Sequence, residues 1–219
     1  MSSYTGPVCR LCRRETAASK TGEKIKLFLK GDRCLSKKCA VERRGTGPGQ
    51  KTSGKPQRSK ISEYGRQLRE KQKMRRYYGV IEAQFEKYFR EAARVPGQTG
   101  KTFLQLLERR LDNVVYRMNL ASSRAQARQL VTHRHFRVNG RIVNIPSFLV
   151  KPGDAVTIGE RSQQSPLILS NLEYVSNRPH PEWLEWNEQD KKVLVTALPS
   201  REQIDTPVDE QLIVEYYSR

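Results

Sequence analysis

The chain of 219 residues carries 41 Lys and Arg against 23 Asp and Glu, a formal charge of +18 and a pI near 10.0, with 36% hydrophobic residues. That apolar share lies below the ~45–50% usual for a globular domain, so part of the chain is expected to be extended or held by a partner rather than by its own core. No window approaches the ~18 consecutive apolar residues of a membrane span, and the opening MSSYTGPVCRLCRR lacks the apolar stretch of a secretory signal, so the reading is a soluble, intracellular protein with no membrane partner.

Residues 1–58 read as irregular. Gly6-Pro7, Gly22, Gly31 and the run from Arg43-Arg44-Gly45 through Pro56 punctuate them, and only Ile25, Leu27, Phe28 and Leu29 offer a short apolar strand. Such a segment cannot offset its ordering entropy alone, so a metal, an RNA or both must pin it. All four cysteines lie here, as Cys9-x2-Cys12 and Cys34-x4-Cys39. Both spacings let two thiolates grip one tetrahedral zinc, and the nearby Arg10, Arg13, Arg14, Arg33, Lys37 and Lys38 are expected to favour the thiolate form. Disulfides suit secreted chains, and four unrelated thiols would not fall into two close pairs. The expectation is one structural zinc ion on Cys9, Cys12, Cys34 and Cys39, with no position open to a substrate.

Helical periodicity begins after Ser62, a fitting N-cap, and runs through the very basic Arg66–Arg76 to Gly79. The segment from Ile81 to Ala93 sets Ile81, Phe85, Tyr88, Phe89 and Ala92 on one stripe, read as core rather than as a base-stacking platform, and Pro96-Gly97 ends it. A third helix from Thr102 to about Met118 repeats Leu104, Leu107, Leu111, Val114 and Met118. Ser123 and Gln126 form a capping box for a short helix to about Thr132. Phe136-Arg137-Val138 and Arg141-Ile142-Val143 flank Asn139-Gly140, the preferred two-residue hairpin turn, and Pro152-Gly153-Asp154 turns the chain into Ala155–Ile158. The acidic remainder holds Trp183 and Trp186 and closes on Leu212–Tyr217, read as a strand.

The class is therefore mixed α+β, with a zinc-stapled, mostly helical N-terminal domain and a small helix–turn–helix/β-sheet RNA-binding module. Residues 1–50 form the zinc-binding basic segment, 51–103 the basic helical part of the first domain, 104–169 the compact module, and 170–219 an acidic segment returning to the first domain.

The charge is uneven. Residues 1–110 carry 28 basic and 10 acidic side chains, residues 111–160 carry 7 and 3, and residues 161–219 carry 6 and 10. A basic half repels itself unless a polyanion, nucleic acid or an anionic membrane surface, neutralises it. The candidate RNA contacts in the first half are Arg10, Arg13, Arg14, Arg43, Arg44, Lys51, Arg66, Arg69, Lys71, Lys73, Arg75 and Arg76. In the module they are Arg117, Arg124, Arg128, His133, Arg137, Asn139 and Arg141. At about 100° per residue, Arg124 and Arg128 project together a quarter-turn from the apolar face of Ala127, Leu130 and Val131. That placement keeps them solvent-accessible in the first turns of a helix, where an anion is favoured, and the hairpin is expected to bring Arg137 and Arg141 beside them.

Catalytic signatures are absent from the sequence. It has no Gly-rich phosphate loop ending in Lys-Ser or Lys-Thr and no Gly-x-Ser-x-Gly elbow, and His133-Arg134-His135 suits a phosphate or solvent. Arg110-Leu111-Asp112 matches the Arg-Leu-Asp of RNA pseudouridine synthases, yet Asp112 falls inside an amphipathic helix and reads as a surface carboxylate, with too little chain after it for that catalytic domain.

Gly6–Glu15, Pro48-Gly49-Gln50, Leu68–Lys73, Arg110–Arg117 and the ending Leu212–Arg219 resemble the bacterial small-subunit ribosomal protein four family. Ser123–Val131 through Val138-Asn139-Gly140 resembles the RNA-binding domain named after it, and the likeness covers nearly the whole chain. The resemblance implies a structural, non-catalytic protein that binds 16S-type ribosomal RNA directly and early, near a multi-helix junction, and nucleates assembly of the subunit body. It further implies contact with small-subunit protein five and other ribosomal proteins, a link to decoding accuracy, and a place on cytoplasmic or plastid ribosomes. Members that keep four cysteines bind zinc there, and some members repress their own messenger RNA. This chain departs in a longer loop between the cysteine pairs, around Glu15 to Lys26. The competing class is an RNA-modifying or tRNA-handling enzyme built on the same module. An appended catalytic domain would mark it, and the tail after residue 170 is acidic and carries no catalytic constellation.

Overall fold

The computed structural model describes residues 4–18, 24–44, 46–49, 61–175 and 179–218. They divide into two units, Met1–Lys87 with Thr206–Arg219, and Tyr88–Asp205.

The first unit opens on a helix where an irregular chain is expected. In α1 (Val8–Ala18), Pro7 precedes the first turn and Arg, Leu, Glu and Ala favour the helix, while Cys12, Glu15 and Thr16 are buried on one face. Leu27 is fully buried, yet Ile25–Leu29 forms no strand, because Phe28 (φ 48°) and Gly31 (φ 56°) turn the chain back on itself. A 3₁₀ turn at Gly31–Cys34 and α2 (Ala40–Arg43) follow. The Oγ of Ser62 accepts from the Gly65 N–H at 3.2 Å and opens α3 (Glu63–Tyr77), as its sequence position predicts. α4 (Glu82–Arg94) runs across the division and buries the Phe85, Tyr88, Phe89, Ala92 stripe.

In the second unit the single helix expected over 102–118 is two, α5 (Thr99–Glu108) and α6 (Leu111–Arg117). Arg110 is extended and bridges to Leu149, and the N–H of Leu111 reaches the Phe148 carbonyl at 2.8 Å, so tertiary pairing interrupts a pattern that is locally continuous. Ser123 caps α7 (Arg124–Thr132), its Oγ accepting from Gln126 N–H at 3.3 Å, while the Gln126 side chain returns to Ser122 rather than to Ser123. β1 (Phe136–Val138), β2 (Arg141–Ile142) and β3 (Ala155–Ile158) are followed by α8 (Pro166–Val175), β4 (Leu184–Asn187) and β5 (Lys192–Val195). The strands form one antiparallel sheet in the order β2-β1-β3-β5-β4, with Val138 opposite Arg141 and Val156 opposite Val193. Asn139 (φ 49°) and Gly140 (φ 78°) both take the left-handed conformation that a two-residue type I′ turn requires. One apolar cluster, including Leu111, Val114, Val131, Phe136, Val156, Trp183 and Val193, joins α6 and α7 to the sheet.

One boundary and one element differ from expectation. Because β5 pairs with β3, the compact module does not stop at residue 169, and only residues from Thr206 onward group with the first unit. The closing segment Leu212–Tyr217 is helical, not a strand. In α9 (Glu210–Tyr217), Asp209 Oδ1 accepts from Gln211 N–H at 3.0 Å, and the helix lies on α3 through Gln67–Glu215 at 3.0 Å and the paired rings of Tyr64 and Tyr216.

Candidate nucleic-acid interface

The thiols come from three neighbouring pieces: α1 carries Cys9 and Cys12, the 3₁₀ turn ends on Cys34, and Cys39 precedes α2. With Val8, Leu29, Lys30, Ala40 and Val41 they line a single hollow of about 20 Å³. Cys12, Cys34 and Cys39 are buried, Cys9 is half-buried, and all four are free thiols. The backbone N–H of Leu27 donates to Cys12 Sγ at 3.3 Å and that of Lys30 to Cys34 Sγ at 3.4 Å. Burial pushes the Cys12 thiol up to about 11 and moves Cys34 the same way, against those N–H groups. Burial is the largest influence on both thiols, ahead of the N–H donors and, at Cys34, of Lys26. Arg10, Arg14, Arg33, Lys37 and Lys38 stand in solvent. Among the described residues no three His, Cys, Asp or Glu side chains stand in metal-binding geometry, so the sulfurs share the hollow without closing on a metal position. In number, type and burial the four-sulfur donor set fits tetrahedral zinc.

The basic helix α3 turns much of its charge inward. Lys71 is 5% exposed, pairs with Glu82 and lies 4.7 Å from the Tyr216 ring centre. Lys73 pairs with Glu70 at 2.6 Å and donates to the Pro207 carbonyl at 3.0 Å. Arg76 pairs with buried Glu15 of α1, and Arg69 stands 4.0 Å from the same carboxylate. Burial pushes Glu15 up and Arg76 down, while each partner opposes the shift of the other. Arg75 reaches Glu82 at 3.3 Å, and Arg13 donates to the Thr46 carbonyl at 2.8 Å. Arg66 makes an exposed pair with Glu63 at 2.9 Å. Arg10, Arg14, Arg43 and Arg44 face solvent. Lys51 lies outside the described residues, as do the run 50–60 and residues 19–23 of the long loop. Arg33, Lys37 and Lys38 are exposed cations that the sequence reading tied to the thiols and did not propose as contacts.

The module divides its cations in the same way. Asp112 is not a surface carboxylate. It is buried against Arg110, with Nη2–Oδ2 at 2.6 Å and Nε–Oδ1 at 3.0 Å, and Arg110 also donates to the Tyr88 hydroxyl at 2.9 Å. Arg124, expected in solvent, is 9% exposed, because α6 packs against that flank of α7. Its Nε donates to Asn113 Oδ1 at 2.9 Å and its guanidinium covers the Tyr116 ring at 4.3 Å. Arg117 is held by Glu108 at 2.7 Å and by Asp205. Arg128 is partly exposed, 3.4 Å from Asp112. Asn139 turns its amide onto Asp154 and the Ala155 N–H, which fixes the hairpin, and Arg137 pairs with Glu160 at 3.0 Å. His133, Arg134 and Arg141 remain exposed. Arg134 was missed as a candidate, although it lies between two candidate-like histidines. Its φ of 66° marks the turn, which is fastened by His135 Nδ1 to Ser162 Oγ at 2.9 Å.

A helix pair on a small antiparallel sheet, preceded by a basic unit with outward-facing cations, defines a nucleic-acid-binding protein of the S4-domain class. The family model for the S4 domain matches residues 109–156, and that for the ribosomal protein S4/S9 N-terminal domain matches residues 3–108. The chain is 57% identical to the small ribosomal subunit protein uS4 of Pelotomaculum thermopropionicum over all 219 residues and all of that protein. It is 56% identical to that of Acetivibrio thermocellus and 54% to that of Thermoanaerobacter pseudethanolicus, again over the full length of both. The chain belongs to the uS4 family of small ribosomal subunit proteins.

Proposed function

We propose that this chain is a structural, non-catalytic component of the small ribosomal subunit that binds its ribosomal RNA. The end-to-end identity with uS4 relatives carries the reading. The exposed cations at Arg10, Arg14, Arg43 and Arg44, and at His133, Arg134 and Arg141, supply the phosphate contacts that hold RNA without reading its sequence.

Within that role the chain acts as a primary binder that nucleates the subunit body on 16S-type RNA in the cytoplasm, meets small-subunit protein five and supports decoding accuracy. Control of its own messenger RNA would use the same phosphate-binding cations. One zinc ion held by Cys9, Cys12, Cys34 and Cys39 staples the first unit. The ion would supply a fixed cross-link and no reaction, and the Leu27 and Lys30 N–H groups would orient the Cys12 and Cys34 sulfurs that hold it.

Sedimentation of the native protein with ribosomal subunits, with salt and chelator as variables, tests the reading. Contact with ~6–10 phosphates implies a loss of about 10³–10⁵ in RNA affinity between 50 and 200 mM salt. A chain found free of subunits and modifying RNA would overturn it.

A further inference from the structure

The second unit contains a hollow of about 310 Å³ walled by Tyr116, Arg117, Asn119, Pro179, His180, Pro181, Gln203 and Asp205. That volume falls within the ~300–1,000 Å³ of ordinary binding clefts. Its walls are braced from within. Asn119, in the left-handed conformation, donates to the Pro179 carbonyl at 3.4 Å. Gln203 Nε2 donates to Glu182 at 3.0 Å, and its Oε1 accepts from the Ser200 N–H at 3.0 Å.

The electrostatics of this hollow run against those of the whole chain. Two guanidiniums beside the hollow are already occupied and largely buried. Arg117, with an 8% exposed side chain, pairs with Glu108 and with Asp205, and Arg124 covers the Tyr116 ring. Among the described residues the carboxylates at this wall are Asp205, whose side chain is 74% exposed although it pairs with Arg117, and the exposed Glu182, which accepts from Gln203. Arg201 beside them donates to the Ile204 carbonyl at 3.0 Å. A polyphosphate chain is repelled from such a mouth, whereas a guanidinium or ammonium on an extended backbone is attracted. The apolar walls of Tyr116, Pro179 and Pro181 suit the aliphatic stem of such a side chain, and the Asn119 and Gln203 amides suit its main chain.

We propose that this hollow docks a basic, extended segment of another protein rather than RNA. The site stands on its own geometry and is independent of which RNA the exposed cations bind.

The test uses the full-length, isotope-labelled protein and a blocked arginine–glycine octapeptide as probe, read by amide NMR shifts. The peptide should move the backbone and side-chain amides of Asn119 and Gln203. Neutralising Asp205→Asn and Glu182→Gln together should weaken it about tenfold, three- to fivefold for each carboxylate. Glu185→Gln with Glu188→Gln, which removes the same charge on and beside β4 but outside the hollow, should leave affinity unchanged. Thermal melts check that both pairs of variants stay folded, as the Arg117–Glu108 pair predicts. Equal weakening by both pairs would reduce the effect to diffuse charge and overturn the proposal. So would an RNA decamer that moves the Asn119 and Gln203 amides where the peptide does not.

Discussion

The two units solve the problem of a highly charged chain differently. The second unit is organised by one continuous apolar cluster, and its buried charges sit at the margins of that cluster as tightly bonded knots such as Arg110–Asp112 and Arg117–Glu108. The first unit brings together a four-thiol hollow, the buried Glu15–Arg76 pair and inward-turned lysines of α3. A charge pair gains little over its desolvation cost, so the zinc staple proposed for the four thiols would matter more to the first unit than its ion pairs do. The comparison teaches that a count of basic residues overstates an RNA interface, because part of the charge is structural.

The contrast is broken most directly by metal removal. Elemental analysis should find one zinc per chain, and chelation or Cys34→Ser should release it. Because a structural zinc contributes on the order of 10 kcal/mol, the first unit should lose its cooperative melting transition in calorimetry while that of the second survives. Two disulfides and no metal in protein from reducing extract would remove the staple from the comparison.

Next in size is the knot in the second unit. Asp112→Asn leaves Arg110 buried without its counter-charge and should cost about 3–5 kcal/mol, read as a lowered denaturant midpoint of the second transition only. A surface carboxylate would cost a small fraction of that.

The elements most legible from sequence are those fixed by local chemistry. The Ser62 and Ser123 caps and the Asn139-Gly140 hairpin each need only a few adjacent residues, and each stands where expected. The break between α5 and α6 was not legible, because it answers to Phe148 and Leu149, about forty residues away. The same holds for Arg124. A helical wheel places it beside the apolar face, but only the fold sets Asn113 and Tyr116 against it. The apolar run at Leu212–Tyr217 suited strand or helix equally, and the Asp209 cap with α3 beneath it decides for the helix. For the site, the pairing of cysteines was readable from spacing, while the sorting of cations into inward and outward required the partners.

That sorting gives a third expectation. Arg124→Ala should act on stability, costing about 1–3 kcal/mol by removing the bond to Asn113 and the cover over Tyr116. Arg134→Glu with Arg141→Glu should leave the melt unchanged and weaken RNA binding about tenfold, with the salt slope reduced by ~1 for each phosphate no longer neutralised. Filter binding across salt and a parallel thermal melt separate the two. If the Arg124 variant melts normally and loses RNA, the inward assignment is wrong.

The smallest effect compares two carboxylates within the first unit, and its value lies in the sign. Burial raises Glu15 above its ordinary 4.5, whereas hydrogen bonds from Lys24 and Lys26 hold Glu42 down to about 2. A raised carboxylate binds its proton more tightly in the folded state. Glu15 therefore erodes stability as pH climbs above 4.5 until its folded-state proton is gone. Glu42 does the reverse, adding stability above 4.5 that is lost as pH falls toward 2. The Glu42 pair is exposed, so salt should erase its contribution, while the buried Glu15 pair should resist screening. Melting curves from pH 3 to 8 at low and high salt check both signs. Glu42→Gln should flatten the acid limb at low salt only, and Glu15→Gln should flatten the decline above 4.5 at either salt. A Glu15→Gln protein that instead steepens that decline would mean the carboxylate is stabilised by Arg76 more than burial costs it, and the first unit would then resemble the second in how it holds its charges.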